Sequence, residues 1–222
     1  MKISPTLTEV KEIAKTGKYD ILPVSCEILS DFITPIEAMR ILQNVSTHCY
    51  LLESAQANEA WGRYTFLGYD PKLEINCIDG HMKLGKLSVE TENPSEYIRQ
   101  ILSEYKSPKF DYLPSFTGGL VGYFSYDYLG YKEKSIRGKA RDTEDFKDVD
   151  LMLFDKVIAF DNLCQKIILI ANMSLDAPET GYNKAIVELK QLRELLMHGE
   201  KKQNMGCLLY TSPSPRDGLL SR

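Results

Sequence analysis

Glu53 and Ser54 are the residues whose types and placement best suit chemistry. They close an apolar, strand-like run, Cys49-Tyr50-Leu51-Leu52. A polar stretch from Ala55 to Glu59 follows, and then a second strand-like run opens, Gly62-Arg63-Tyr64-Thr65-Phe66-Leu67-Gly68. Two short strands joined by a polar loop predict a hairpin or a neighbouring pair. At such a strand end a carboxylate can accept from an ammonium group, and a serine hydroxyl can both donate and accept. The same residues also suit a plain strand-end turn, in which Glu53 is a surface acid and Ser54 bonds its own backbone.

Other groups offer less. The five cysteines, Cys26, Cys49, Cys77, Cys164 and Cys207, form no CxxC pair, and the three histidines, His48, His81 and His198, stand apart from them. This scatter predicts reduced thiols rather than a zinc site or a Cys-His nucleophile pair. Gly118-Gly119-Leu120-Val121-Gly122 matches neither GxGxxG nor a Walker loop, since no Gly-Lys-Ser/Thr follows. Its continuation, Tyr123-Phe124-Ser125-Tyr126, is strand chemistry. A buried strand is expected here, with glycines that permit a bulge or close backbone approach rather than a phosphate cradle. Asp111, Asp127, Asp148, Asp150 and Asp155 suit turns and strand ends, so no catalytic residue and no metal ligand is assigned.

The elements that must position these residues follow from periodicity and caps. A helix is expected over residues 6–17, capped by Thr6 or Thr8 with Glu9 in its first turn and stopped by Gly17. Tyr19 to Ser30 is a strand region. Thr34-Pro35 starts a helix with Thr at the cap and Pro at the first helical position; its stripe is Ile36, Met39, Arg40 or Ile41, and Leu42, and it ends near Asn44. Strands are expected from Lys72 to Ile78 and from His81 to Leu87, joined by the turn Asp79-Gly80, as an edge hairpin. Pro94 to Tyr105 is a helix with Tyr97, Ile98, Ile101, Leu102 and Tyr105 on one face. Lys132 to Lys147 is a solvated charged connection. Leu151 to Ala159 and Lys166 to Ala171 make a hairpin through a turn at 160–163. Thr180 to Met197 is an amphipathic helix. The expected class is α+β: a mostly antiparallel β-sheet with helices packed on its outer side.

The chain has 222 residues, 43% hydrophobic and 26% charged, with a formal net charge of -4. It can bury a normal core, and its charge gives no footprint for nucleic acid. No apolar run reaches the length of a membrane span, and Met1-Lys2-Ile3-Ser4-Pro5 lacks the apolar core of a signal peptide, so a cytoplasmic protein is expected. Residues 203–222 break from the preceding helix into Ser/Thr/Pro-rich sequence and are taken as a non-native tail.

LLES followed by GRYTFLG resembles component I of anthranilate synthase. Three further stretches fit that family in order: Ile21-Leu22-Pro23-Val24 with Thr34-Pro35, then Phe116 to Asp127, then Asp150-Leu151-Met152-Leu153-Phe154-Asp155. The resemblance implies the N-terminal portion of a lyase that converts chorismate and ammonia, drawn from glutamine, to anthranilate and pyruvate in tryptophan biosynthesis. It implies Mg²⁺ in the full-length enzyme, a glutamine amidotransferase subunit (component II) as partner, and feedback inhibition by L-tryptophan. The family's LLES segment helps bind that tryptophan. By resemblance Ser54 bonds the ligand's charged amino-acid group, with Glu53 beside it, while Leu52 and Tyr64 border the indole. The family's catalytic motifs, an acid-His run ending in Leu-Gly-Arg-Asn-Asp and a later Gly-Xaa-Gly turn, do not occur in this chain. Residues 1–172 are thus expected to form the family's N-terminal domain, and 173–202 a helix leading toward a chorismate-binding catalytic domain that this chain lacks. Two alternatives stay open: component I of aminodeoxychorismate synthase, in the folate pathway, and a stand-alone amino-acid-binding regulatory module.

Overall fold

Two threonines set the first two helices. In the computed structural model, which describes residues 2–53, 62–133 and 146–202, α1 (Leu7–Lys15) and α2 (Pro35–Val45) both begin with a capping box. The Thr6 hydroxyl accepts from the Glu9 N–H, and the Glu9 carboxylate accepts from the Thr6 N–H at 2.7 Å. Thr34 and Glu37 repeat the arrangement. Each box satisfies two backbone donors that a helix start otherwise leaves open. The buried stripe of α2 is Ala38, Ile41 and Leu42 rather than the one expected from Ile36, which is half exposed. Ile36 lies away from the face that the i, i+3, i+4 spacing turns inward.

The strands fall into two antiparallel sheets. The first runs β1 (Ile3–Ser4), β2 (Ile21–Leu29), β11 (Lys166–Ser174), β10 (Lys156–Asp161), β4 (Tyr64–Tyr69) and β3 (Cys49–Leu52), in that spatial order. The second runs β7 (Leu87–Glu90), β6 (His81–Leu84), β5 (Leu73–Ile78), β9 (Val149–Phe154) and β8 (Gly119–Phe124). The α+β class therefore holds, with two sheets in place of one.

Three expectations change with this split. The run Leu151 to Ala159 is not one strand: it breaks at Asp155, whose carbonyl accepts from the Asn172 N–H at 2.8 Å and from the Asn172 carboxamide at 2.9 Å. β9 and β10 consequently join different sheets. The stretch from His81 to Leu87 is also broken, because Gly85 takes the left-handed conformation (φ 58°) and starts β7 as a third strand. And β8 is an edge strand, not a buried core strand, with Tyr123 and Phe124 exposed. Its neighbour on one side is β9, and no second strand flanks it among the described residues.

Both faces of the first sheet are covered. α1, α2 and α4 (Pro178–His198) cover one face, where Leu22, Val24, Leu67, Phe160 and Leu169 meet Leu42 and Leu189. Phe110, Leu113 and Phe116, from the connection that follows α3 (Pro94–Ser103), cover Val157, Ala159, Ile168 and Ile170 on the other. Burial on both faces explains why β11 has an almost unbroken apolar run, Ile167-Ile168-Leu169-Ile170-Ala171. In the second sheet, Ile75, Cys77, Met82, Val149 and Leu151 pack with Ile98 of α3.

α4 is an integral layer of the first sheet, since Leu189 is fully buried in its core while Val187 is half exposed. Leu189→Ala is expected to lower stability by about 2–5 kcal/mol, and Val187→Ala by less than about 0.5 kcal/mol. Urea unfolding followed by circular dichroism would read both; equal effects would mean that α4 does not hold the sheet.

Candidate functional site

The two strands that carry Leu52 and Tyr64 form the edge of the first sheet. β3 and β4 pair antiparallel, with Leu52 opposite Phe66 and Tyr50 opposite Gly68. Side chains alternate along a strand, so Tyr50 and Leu52 share a face with Tyr64, Phe66 and Gly68. On that face the aromatic rings form a chain of contacts. Tyr64 and Phe66 lie 5.8 Å apart, Phe66 and Phe116 5.5 Å, Tyr50 and Phe116 6.4 Å, and Tyr50 and Phe154 4.7 Å between centroids. Gly68 is required here, because any Cβ would collide with the Tyr50 ring.

The structure thus brings two of the expected residues together. Leu52 is 46% exposed at the end of the edge strand, and Tyr64 lies on the same face, one alternate position beyond Phe66. Burial pushes the Tyr64 phenol above its ordinary pKa, with the Asp161 charge adding to it. Glu53 directly follows β3 and is exposed. Ser54 lies outside the described residues. Leu52 and Tyr64 thus stand on one face near the strand ends, with exposed Glu53 next in the chain after Leu52.

An interaction that the sequence does not reveal lies at the start of β4. Asp161, at the end of β10 and opposite Tyr64, has a fully buried side chain. Its carboxylate accepts two parallel bonds from Arg63, from Nε at 3.1 Å and from Nη2 at 2.7 Å. It also accepts from the N–H groups of Leu163 at 3.2 Å and Cys164 at 3.1 Å. The Arg63 guanidinium in turn stands over the Tyr64 ring, 4.8 Å from its centroid. The two partners are 98 residues apart, so no local pattern announces them.

Two of the other aspartates singled out in the sequence have structural partners. Asp148 accepts from the Tyr131 hydroxyl at 2.7 Å and from the Asp79 N–H at 2.8 Å. This braces the Asp79-Gly80 turn, where both residues have positive φ. Asp150 pairs with Lys147 at 2.9 Å. Among the described residues, no group of three or more His, Cys, Asp or Glu side chains converges on a point that would hold a metal ion.

The glycines before β8 act through backbone proximity. Gly118 has φ +145°, and a Cβ there would stand 2.5 Å from the Asn172 carboxamide nitrogen; a Cβ on Gly122 would collide with the Asp150 carbonyl. Gly118 and Gly119 line a cavity of about 110 Å³ with Tyr105, Phe154 and Asn172. No lysine or arginine is among its described lining residues, so it offers no cation to a phosphate.

Burial alone would raise the Asp161 carboxyl, but the Arg63 fork, the Cys164 N–H and the guanidinium charge outweigh it. They hold the group at about 2, below the ordinary 3.8. A carboxyl depressed on folding adds stability that is complete above its unfolded pKa and is lost as pH falls through the folded value. Arg63→Ala should therefore cost about 2–3 kcal/mol at neutral pH. The gap between variant and parent should narrow as pH falls from 3.8 toward about 2. Denaturant titrations at a series of pH values test this; a gap independent of pH would contradict it.

No model of a known protein family matches the chain. Curated proteins and a solved structure do. Anthranilate synthase component 1 of Acetivibrio thermocellus is 34% identical over 93% of this chain and 42% of its own length. That of Pseudomonas aeruginosa is 36% identical over 85% of this chain and 39% of its own length. The crystal structure of anthranilate synthase component I from Streptococcus pneumoniae TIGR4 superposes with a TM-score of 0.51 at 25% identity, covering 86% of this chain and 38% of that one. Similarity in sequence and in fold to proteins of that name runs over nearly the whole chain, which spans about two fifths of the length of the curated relatives it matches.

Proposed function

We propose that this chain is the N-terminal portion of the anthranilate synthase component that uses chorismate, and that it contributes a half-site for L-tryptophan. The observation that carries the reading is the extended similarity to proteins of that name. In the whole protein the reaction would be the conversion of chorismate and ammonia to anthranilate and pyruvate, in tryptophan biosynthesis. The residues of that reaction, and the Mg²⁺ that serves it, are assigned to the length of the relatives that this chain does not span. A relative named component 1 points to a second component, here proposed as a glutamine amidotransferase that supplies the ammonia. A cytoplasmic setting follows from the same reading.

In the half-site, Ser54 would bond the charged amino-acid group of tryptophan, with Glu53 beside it to accept from the ammonium. Leu52 and Tyr64 would border the indole, Leu52 by dispersion and Tyr64 by ring-edge contact. The placement of Leu52 and Tyr64 on one face of the β3–β4 edge supports this arrangement. Feedback would follow from linkage: a ligand that binds one conformation of the whole enzyme more tightly shifts the population toward it.

The gene encoding the whole protein is expected to restore growth of a tryptophan auxotroph and not of an auxotroph for the folate precursor p-aminobenzoate. The opposite pattern would assign the protein to aminodeoxychorismate synthase. Within that protein, Ser54→Arg removes a charge-assisted hydrogen bond worth about 1.5–3 kcal/mol and adds bulk, so inhibition by L-tryptophan should weaken tenfold or more. Inhibition equal to the parent's would sink the half-site.

A further inference from the structure

We propose that Arg63 and Asp161 form a positioning pair that fixes the β4 side of the tryptophan half-site without touching the ligand. This rests on the half-site reading above. The turn after β10 grips the opening of β4 at several points. The Asn162 N–H donates to the Arg63 carbonyl at 2.9 Å. The Asn162 carboxamide reaches the Gly62 carbonyl and the Thr65 hydroxyl, each at 3.4 Å. Asp161 then holds the Arg63 side chain by its two-pronged contact, while its own oxygens are further satisfied by Leu163 and Cys164.

The geometry serves more than cohesion. A buried ion pair seldom stabilises a fold more than apolar residues of the same size would, but it admits few alternative arrangements. Here the fork holds the guanidinium in place, with its central carbon 4.8 Å from the centroid of the Tyr64 ring. Tyr64 is therefore in contact with both the Arg63 guanidinium and the Phe66 ring. The ring so held is the one that borders the indole. β3, the other wall of the half-site, is the edge strand and pairs with β4 alone among the described strands, so its position follows that of β4. A lysine at position 63 would keep the charge but not the two-point contact.

The test is calorimetric titration of the full chain with L-tryptophan, at a temperature where circular dichroism shows every variant folded. Asp161→Asn and Arg63→Lys should bind at least fivefold more weakly than the parent. Met82→Ala, which weakens the separate core of the second sheet, should bind as the parent does. Parent-like affinity in Asp161→Asn, with binding lost in Ser54→Arg, would overturn the positioning role and leave the half-site standing. Parent-like affinity in Ser54→Arg would overturn the half-site and the positioning role together. If the parent chain takes up no L-tryptophan, hydrogen exchange decides the matter: amides of β4 should exchange faster in Asp161→Asn than in the parent or Met82→Ala, and equal exchange would overturn the proposal.

Discussion

Where the two sheets part, the Asn172 carboxamide occupies the junction. Its N–H groups donate to the Thr117 carbonyl at 2.6 Å, just before β8, and to the Asp155 carbonyl at 2.9 Å, between β9 and β10. Its own backbone belongs to β11, in the other sheet. One side chain thus ties three segments together. Gly118 makes this possible, because the amide occupies the space that a Cβ would take. Close by, the chain crosses between the sheets a second time, from β4 to β5. There Lys156 bonds Asp70 at 2.8 Å and stands 5.0 Å over the Tyr69 ring, and the Lys72 N–H donates to the Leu153 carbonyl at 2.7 Å. The two crossings brace one another, and the relative placement of β4 and β9 follows from them.

That bracing reaches the candidate site through packing. Phe154 immediately precedes the break at Asp155, and its ring meets Tyr50 edge-on. Tyr50 lies two residues before Leu52, on the same face. Tyr50 through Phe116 to Phe66 and Tyr64 is a continuous aromatic layer between the junction and the strand ends. Interiors of this kind are close-packed and deform little, so the strand ends inherit a fixed geometry from the centre of the molecule. The far end of the layer is secured differently, by charge. The carboxylate of Asp161 is fully buried, and its four donors replace the water it has lost.

Local signals in the sequence were sufficient for much of this. Thr6 with Glu9, and Thr34 with Pro35 and Glu37, mark helix starts wherever they occur, because the cap bonds are made within four residues. Asp79-Gly80 marks its turn because both residues tolerate positive φ. The pairing of Cys49–Leu52 with the strand after Gly62 was legible from two apolar runs around a polar loop. The break at Asp155 was not, because Leu151 to Ala159 is apolar on either side of it. The charged Asp155-Lys156 pair within that run was the available signal. The edge position of β8 depends on which strands lie beside it, and aromatic residues favour strands at centre and edge alike. Arg63 and Asp161 meet only through tertiary pairing of β4 with β10. The resemblance to a family drew attention to Leu52, Glu53, Ser54 and Tyr64, and not to the Arg63–Asp161 pair.

The most direct measurement on the account is hydrogen exchange on Asn172→Ala. If the carboxamide is the tie between the sheets, its removal should release β8 and β9 first. Amides of residues 119–124 and 149–154 should then exchange at least tenfold faster than in the parent, while those of β10 and β11 keep their protection. Exchange that quickens equally in both sheets, or in neither, would contradict the view that Asn172 holds them together.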